Sequence, residues 1–180
     1  MPEKMNGPIW VFGYGSLIWN PEFPVAERVV ATLAGYRRTF CMRSIHHRGS
    51  VAKPGLVLAL DEDAGASCLG VAFRVEGGHE TETLAALRAR ELISSAYLER
   101  VAPVTLSDGR RVEALVYVID PDHEQYCDLP LEEQARIIAG ATGDRGPNDE
   151  YLLNTASHLS ELGIGDAELD WLVERVKALG

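Results

Sequence analysis

Strand-like apolar runs broken by turns fill the first three-fifths of the chain, and helical stretches punctuate and then close it. That order predicts an α+β fold, with a mixed, strongly curved sheet or small barrel and flanking helices. At 180 residues the chain suits one domain with a substantial core. We expect a single domain over residues 9–180 behind a loose lead-in, 1–8, which carries Glu3, Lys4 and Asn6 and has no apolar core of a secretory signal.

The elements follow in chain order. Ile9-Trp10-Val11-Phe12 reads as a short buried strand that breaks at Gly13-Tyr14-Gly15-Ser16. Val29 to Cys41 is rich in β-formers, with Gly35 as a bend or bulge. Leu56 to Leu60 is a strand after Pro54-Gly55, Asp61 to Gly65 a turn, and Cys68 to Val75 a buried strand. Tyr97 to Leu106 and Val112 to Ile119 form a hairpin around Asp108-Gly109. Good helix formers run from Glu80 to Leu92, with Leu84, Leu87 and Leu92 spaced for one face. Leu131 to Ala141 starts beside Pro130, which suits a first helical turn. From Asn148 to Leu162 the inward face would carry Leu152, Ala156, Leu159 and Leu162, with Gly163 as the stop. Asp166 caps a last helix whose inward residues would be Leu169, Val173 and Val176.

Composition narrows the function classes. Hydrophobic residues make up 46% and charged residues 24%, ordinary values for a soluble globular protein. No apolar run approaches the roughly 20 residues of a membrane span. Cys41, Cys68 and Cys127 are few, odd in number and widely spaced, which indicates neither a disulfide framework nor a zinc site. A reducing cytoplasm is the simplest home. The net charge of −10 argues against nucleic acid or an anionic membrane as partner. Yet no acid lies between Glu27 and Asp61, where Arg28, Arg37, Arg38, Arg43, Arg48, Lys53, His46 and His47 all fall. Such a segment suits an anionic small substrate. It is equally a solvated surface, or a partner for the acidic stretch from Pro121 to Asp170.

Two places suggest chemistry. In Gly13-Tyr14-Gly15-Ser16 the glycines let main-chain amides approach a ligand, and a strand ending in such a turn can offer donors to an anion. The dinucleotide, phosphate-loop and nucleophile-elbow patterns all fail here: position 18 is Ile, no Gly-Lys-Ser/Thr occurs, and Ser16 lacks the trailing glycine. A plain hairpin turn between two core strands is the simpler alternative. The second place is Glu91, flanked by Ala89, Leu92 and Ile93. A carboxylate in partly apolar surroundings has a raised pKa and can move a proton near neutrality. The alternative is a surface glutamate paired with Arg88 or Arg90. The five histidines form no metal spacing, and His46-His47 in an extended chain would face opposite ways. Nothing in the sequence ties Ser16 to a histidine as a nucleophile pair.

Taken in order, these features resemble the ChaC-type γ-glutamylcyclotransferases, in their bacterial-like branch. The anchors are V-F-G-Y-G-S-L-I-W-N-P at 11–21, H-R-G at 47–49 with K-P-G at 53–55, and G-V-A-F-R-V at 70–75. Further anchors are A-R-E at 89–91 with Tyr97, A-L-V-Y-V at 114–118, and G-P-N-D-E-Y-L at 146–152. The resemblance implies the γ-glutamylcyclotransferase-like fold and the conversion of glutathione to 5-oxoproline and Cys-Gly. In that reaction the α-amine of the γ-glutamyl group attacks its own γ-carbonyl, with no metal or organic cofactor. It implies Glu91 as the acid/base carboxylate. Tyr14, Gly15, Ser16 and Leu17 would form the glutamyl-binding loop, with Tyr97 and Arg48 as substrate contacts. Met42 to His46, and the spacing between Glu91 and Tyr97, depart from the animal members. Action on other γ-glutamyl amines or amino acids, or a non-catalytic γ-glutamyl-binding module, are the alternatives.

Overall fold

Two strands of about twenty residues organise the molecule, which is described here from a computed structural model. β2 runs Val25–Ser44 and β3 runs Gly55–Val75, far beyond the usual ~5–6 residues. The described residues are 8–18, 21–91 and 96–180. The expected lead-in up to residue 7, Trp19-Asn20 of the first motif and Leu92 to Ser95 therefore lie outside them. With β1 (Trp10–Gly13), β4 (Tyr97–Leu106) and β5 (Arg111–Ile119), the long strands close a barrel in the order β1-β3-β2-β4-β5.

β1 pairs antiparallel to β3, with Val11 opposite Phe73, and parallel to β5, with Val11 opposite Leu115. The sheet is therefore mixed, as expected. β4 and β5 form the expected hairpin in register from Tyr97↔Ile119 to Thr105↔Arg111, and Gly109 takes φ 95° at its turn. Gly35 sits inside β2 at φ 88°, a conformation glycine adopts without a steric penalty. Barrel closure buries both faces of β5 from Ala114 to Ile119, which is why that run reads as continuously apolar.

Helices α1 (Glu80–Glu91), α2 (Leu131–Gly140), α3 (Asn148–Glu161) and α4 (Ala167–Leu179) follow the expected order. Two short strands, β6 (Thr142–Gly143) and β7 (Gly146–Pro147), pair between α2 and α3. The chain divides into two compact units. The first comprises residues 1–38 and 60–123; the second comprises 39–59 and 124–180. No helix of the described residues is long and apolar enough to cross a membrane.

Four local expectations are corrected. Asp61 to Gly65 is not a turn but part of β3. Asp61 and Asp63 stand two residues apart on one strand face, and Arg37 reaches both, at 3.8 and 3.9 Å. The acids thus have a partner in the ladder and do not break it. The inward face of α3 is Asn148, Leu152, Thr155 and Leu159, not Ala156 and Leu162. The helix ends in a Schellman motif: Gly163 takes φ 73° and donates to Ser160 O, and Ile164 donates to Leu159 O. Ile164 then folds back as the buried apolar residue, leaving Leu162 39% exposed. In α4, Asp166 does cap, accepting from Leu169 N at 3.1 Å, but Leu172 rather than Val173 is buried with Leu169 and Val176. His46 and His47 lie in a bent segment, not an extended one, where their carbonyls accept from Asp144 N and Arg145 N.

Candidate active site

The glycine loop follows directly from the close approach of β1 and β3. A Cβ on Gly70 would stand 2.4 Å from Gly13 O and 2.7 Å from the Phe12 ring, so that position admits only glycine at this spacing. A Cβ on Gly13 would meet the Phe73 ring at 3.0 Å. With both side chains absent, the chain turns tightly off β1. It then enters a single 3-10 turn, Ser16–Ile18, closed by Ile18 N donating to Gly15 O at 2.9 Å. The loop is therefore not a hairpin turn. The first amides of a helical turn have no acceptor within it, so such a turn presents donors.

The loop is also buried and braced. Tyr14 is 8% exposed and Leu17 5%. Arg38, itself buried, donates to Tyr14 O at 3.2 Å and to Leu69 O at 2.7–2.8 Å. Sequence reasoning placed Arg38 only in a basic segment. Its position in an otherwise apolar strand end, Thr39-Phe40-Cys41, was the available signal. The Ser16 side chain lies outside the described part of the structure.

Glu91 is the last residue of α1, one turn beyond Leu87. Leu87 packs in an apolar cluster with Leu17 of the loop and with Ile9, Val11, Val75, Leu115 and Tyr117; Tyr97 and Leu84 pack against it. The cluster thus gathers the loop, the helix that carries Glu91 and Tyr97, all within the first unit. The Glu91 side chain is only 16% exposed. Burial pushes its pKa above the ordinary carboxylate value; Arg90 opposes the rise, and the charge of Glu22 adds to it. Arg90 Nε stands 3.7 Å from Glu91, while Arg90 also donates to Glu22 at 3.1 Å. Arg88 turns away to Glu99 at 3.1 Å. Of the two surface pairings open in the sequence, that with Arg88 is not made, and that with Arg90 is shared.

Tyr117 and Glu99 were not singled out from the sequence. They face each other across the β4–β5 hairpin, and Tyr117 Oη donates to Glu99 Oε1 at 3.2 Å. Burial, Glu99 and Glu91 all raise the Tyr117 pKa, so its phenol stays neutral. The available signal was alternation: Tyr97 and Glu99 are two apart on β4 and share a face.

Arg48 belongs to the second unit. Its guanidinium lies over the Tyr151 ring at 5.7 Å, donates to Pro147 O at 3.1 Å and stands 3.6 Å from Glu150. For Arg48, pairing with the acidic C-terminal part is what the structure contains. The segments around it are tightly apposed: a Cβ on Gly55 would be 2.3 Å from Arg48 O, and one on Gly143 would be 2.5 Å from His46 O. Here the H-R-G, K-P-G and N-D-E-Y-L motifs meet. Asn148 explains the last of them, because its side chain bonds both Leu56 N and Leu56 O at 2.8 Å. Around His47, burial, Arg145, His46 and Arg48 together hold the imidazole pKa below its usual value.

The chain resembles known proteins over most of its length. The "ChaC-like protein" family model matches residues 9–179. The glutathione-specific gamma-glutamylcyclotransferase of Escherichia coli (strain K12) is 40% identical over 175 residues, 97% of this chain and 75% of that protein. The glutathione-specific gamma-glutamylcyclotransferase 1 of Danio rerio is 38% identical, over 84% of this chain and 79% of its own length. Among solved structures, a yeast gamma-glutamyl cyclotransferase specific to glutathione superposes with a TM-score of 0.85 at 26% identity, covering 96% of this chain and 97% of the other. With a match across nearly its whole length, on a closed mixed barrel shared with the yeast enzyme, this chain belongs to the ChaC-like protein family.

Proposed function

We propose that the protein is a glutathione-specific γ-glutamylcyclotransferase, that Glu91 is its general acid/base, and that the Tyr14–Leu17 loop holds the γ-glutamyl group. The carrying observation is the shielded Glu91 carboxylate with its raised pKa, on a helix packed in one apolar cluster with Leu17 and Tyr97. A non-catalytic module has no use for a carboxylate kept at that cost in burial.

The chemistry needs little more. The two reacting groups are already tethered, so the enzyme must orient them. The substrate α-ammonium, with a reference pKa near 8, must lose a proton before its nitrogen can attack. Glu91 takes that proton, and a raised pKa makes it a better match for the task than an ordinary carboxylate. The new C–N bond closes the five-membered ring, and negative charge grows on the γ-carbonyl oxygen. Main-chain amides of the Tyr14–Leu17 loop stabilise that charge, with the loop braced beforehand by Arg38. The old amide C–N bond then breaks, and Glu91 returns its proton to the departing nitrogen. The products are 5-oxoproline and Cys-Gly.

Tyr97 and Arg48 are carried as substrate contacts, Arg48 for a substrate carboxylate. Residues 9–180 act as one catalytic domain in this reading. The net charge of −10 suits a small-molecule substrate rather than nucleic acid, and three buried cysteines outside any disulfide suit a reducing cytoplasm. The test is 5-oxoproline release from glutathione, γ-glutamyl amino acids and γ-glutamyl amines side by side. Release from glutathione far above the rest is expected. Preference for another member of the panel moves the substrate, and release from none makes the protein a binding module.

A further inference from the structure

Arg88, Glu99 and Tyr117 make a connected set that the reaction above leaves unused. Glu99 is half of a cross-strand pair with Tyr117, and its side chain is only 12% exposed. It accepts from Tyr117 Oη at 3.2 Å and from Arg88 Nε at 3.1 and 3.3 Å through its two oxygens. Arg88 sits three residues before Glu91, on the last turn of α1. Residues three apart on a helix share a face. The bond between Arg88 and Glu99 therefore ties the turn that ends in Glu91 to the barrel wall, and Tyr117 fixes the Glu99 end.

We infer that Arg88, Glu99 and Tyr117 form a latch that sets the position of Glu91, with Glu99 as its central positioning residue. The inference rests on Glu91 being the general base. The latch acts through the α1 end. It holds the α1 end against the cluster of Leu87, Leu17 and Tyr117, and so keeps water from the Glu91 carboxylate. Other charges face this region. Arg90 stands beside Glu91, and Glu22 is held on Arg90. Arg88 is the cation on Glu99, and Tyr117 is neutral. Replacing Glu99 by Gln leaves the Arg90–Glu91–Glu22 arrangement in place, weakens the tether and removes one negative charge, whereas replacing Arg88 by Gln cuts the same tether and removes a positive one.

Cutting the tether should loosen the α1 end and let solvent reach Glu91. A better solvated carboxylate has a lower pKa. Since Glu91 must be ionised to accept a proton, the acidic limb of the kcat/KM profile should then move to lower pH. A general base displaced from its proton loses rate steeply, so kcat should fall about tenfold or more.

The experiment measures glutathione turnover against pH for the wild type, E99Q, R88Q, R88K, the double variant R88Q/E99Q and E91Q, with thermal unfolding alongside. Expected for E99Q are a kcat loss of about tenfold or more, KM within about twofold, and an acidic limb displaced downward. R88Q should match E99Q in kcat, with its limb displaced less because a cation rather than an anion is lost, and the double variant should be no worse than either, because both cut the same tether. R88K, which keeps the charge, should retain more activity than R88Q. Arg88 is 35% exposed, so R88Q carries the same test if E99Q folds poorly. Wild-type kcat and an unmoved limb in E99Q and R88Q, with E91Q inactive, overturn the latch alone. Full activity in E91Q overturns the assignment of the base and the latch with it.

Discussion

Asn148→Ala should cost the protein about 2–6 kcal/mol, through hydrogen bonds alone. Asn148 and Leu56 are both fully buried, and the Asn148 amide serves both main-chain groups of Leu56: Oδ1 accepts from Leu56 N and Nδ2 donates to Leu56 O, each at 2.8 Å. Alanine removes both partners from groups that have no access to water. A buried donor or acceptor left unsatisfied costs roughly 1–3 kcal/mol, and two are lost. Asn148→Asp keeps the acceptor and loses the donor, so at neutral pH it should lose stability too, and lowering the pH should restore part of the loss as the carboxyl regains a proton. Urea unfolding followed by far-UV circular dichroism and by intrinsic tryptophan fluorescence reads both variants. A loss under about 1 kcal/mol for Asn148→Ala would show that the two bonds do not hold this segment, and that the N-D-E-Y-L motif is there for another reason.

Arg48→Lys should raise KM for glutathione severalfold with a smaller fall in kcat, since an ammonium does not reproduce the planar fork that a carboxylate accepts. Unchanged KM with a lowered unfolding midpoint would leave Arg48 only its role on Tyr151 and Pro147. Glu91→Gln should be at least as stable as the wild type at pH 7–8, and its advantage should close as pH falls to about 4. The sign follows from burial. The folded protein holds the Glu91 proton more tightly than the unfolded chain does, so wild-type stability is lost as pH rises from the unfolded pKa through the raised folded one. Chemical unfolding at several pH values checks this, and a Gln variant markedly less stable at neutral pH would contradict it.

Much of the scaffold could be read from the sequence because local signals and tertiary demands agree there. Asp108-Gly109 marked a hairpin that the register of β4 on β5 reproduces, and Asp166 marked a helix start where its side chain does cap. Where the two disagreed, the partner lay far along the chain. Asp61 and Asp63 look like turn residues until Arg37 is opposite them. Asn148 reads only as a helix start within the G-P-N-D-E-Y-L run until Leu56 is found between its amide atoms. Glu91 and the Tyr14–Leu17 loop stood out early, but whether Glu91 was solvated or shielded depends on Leu87, Tyr117 and the end of α1, which no spacing reveals. Glu99 escaped notice for the same reason, because its partners Arg88 and Tyr117 lie on two other elements.

The most direct test of Glu91 as the base is to measure glutathione turnover and glutathione binding together on the wild type and on Glu91→Gln. The substitution keeps the shape and the hydrogen-bonding capacity of the side chain and removes its ability to accept a proton. The wild type should release 5-oxoproline, and the Gln variant should lose roughly 10²-fold or more in turnover while its Kd for glutathione changes little. A Gln variant that turns over glutathione at the wild-type rate, or a wild type that binds glutathione and releases no 5-oxoproline, would contradict it.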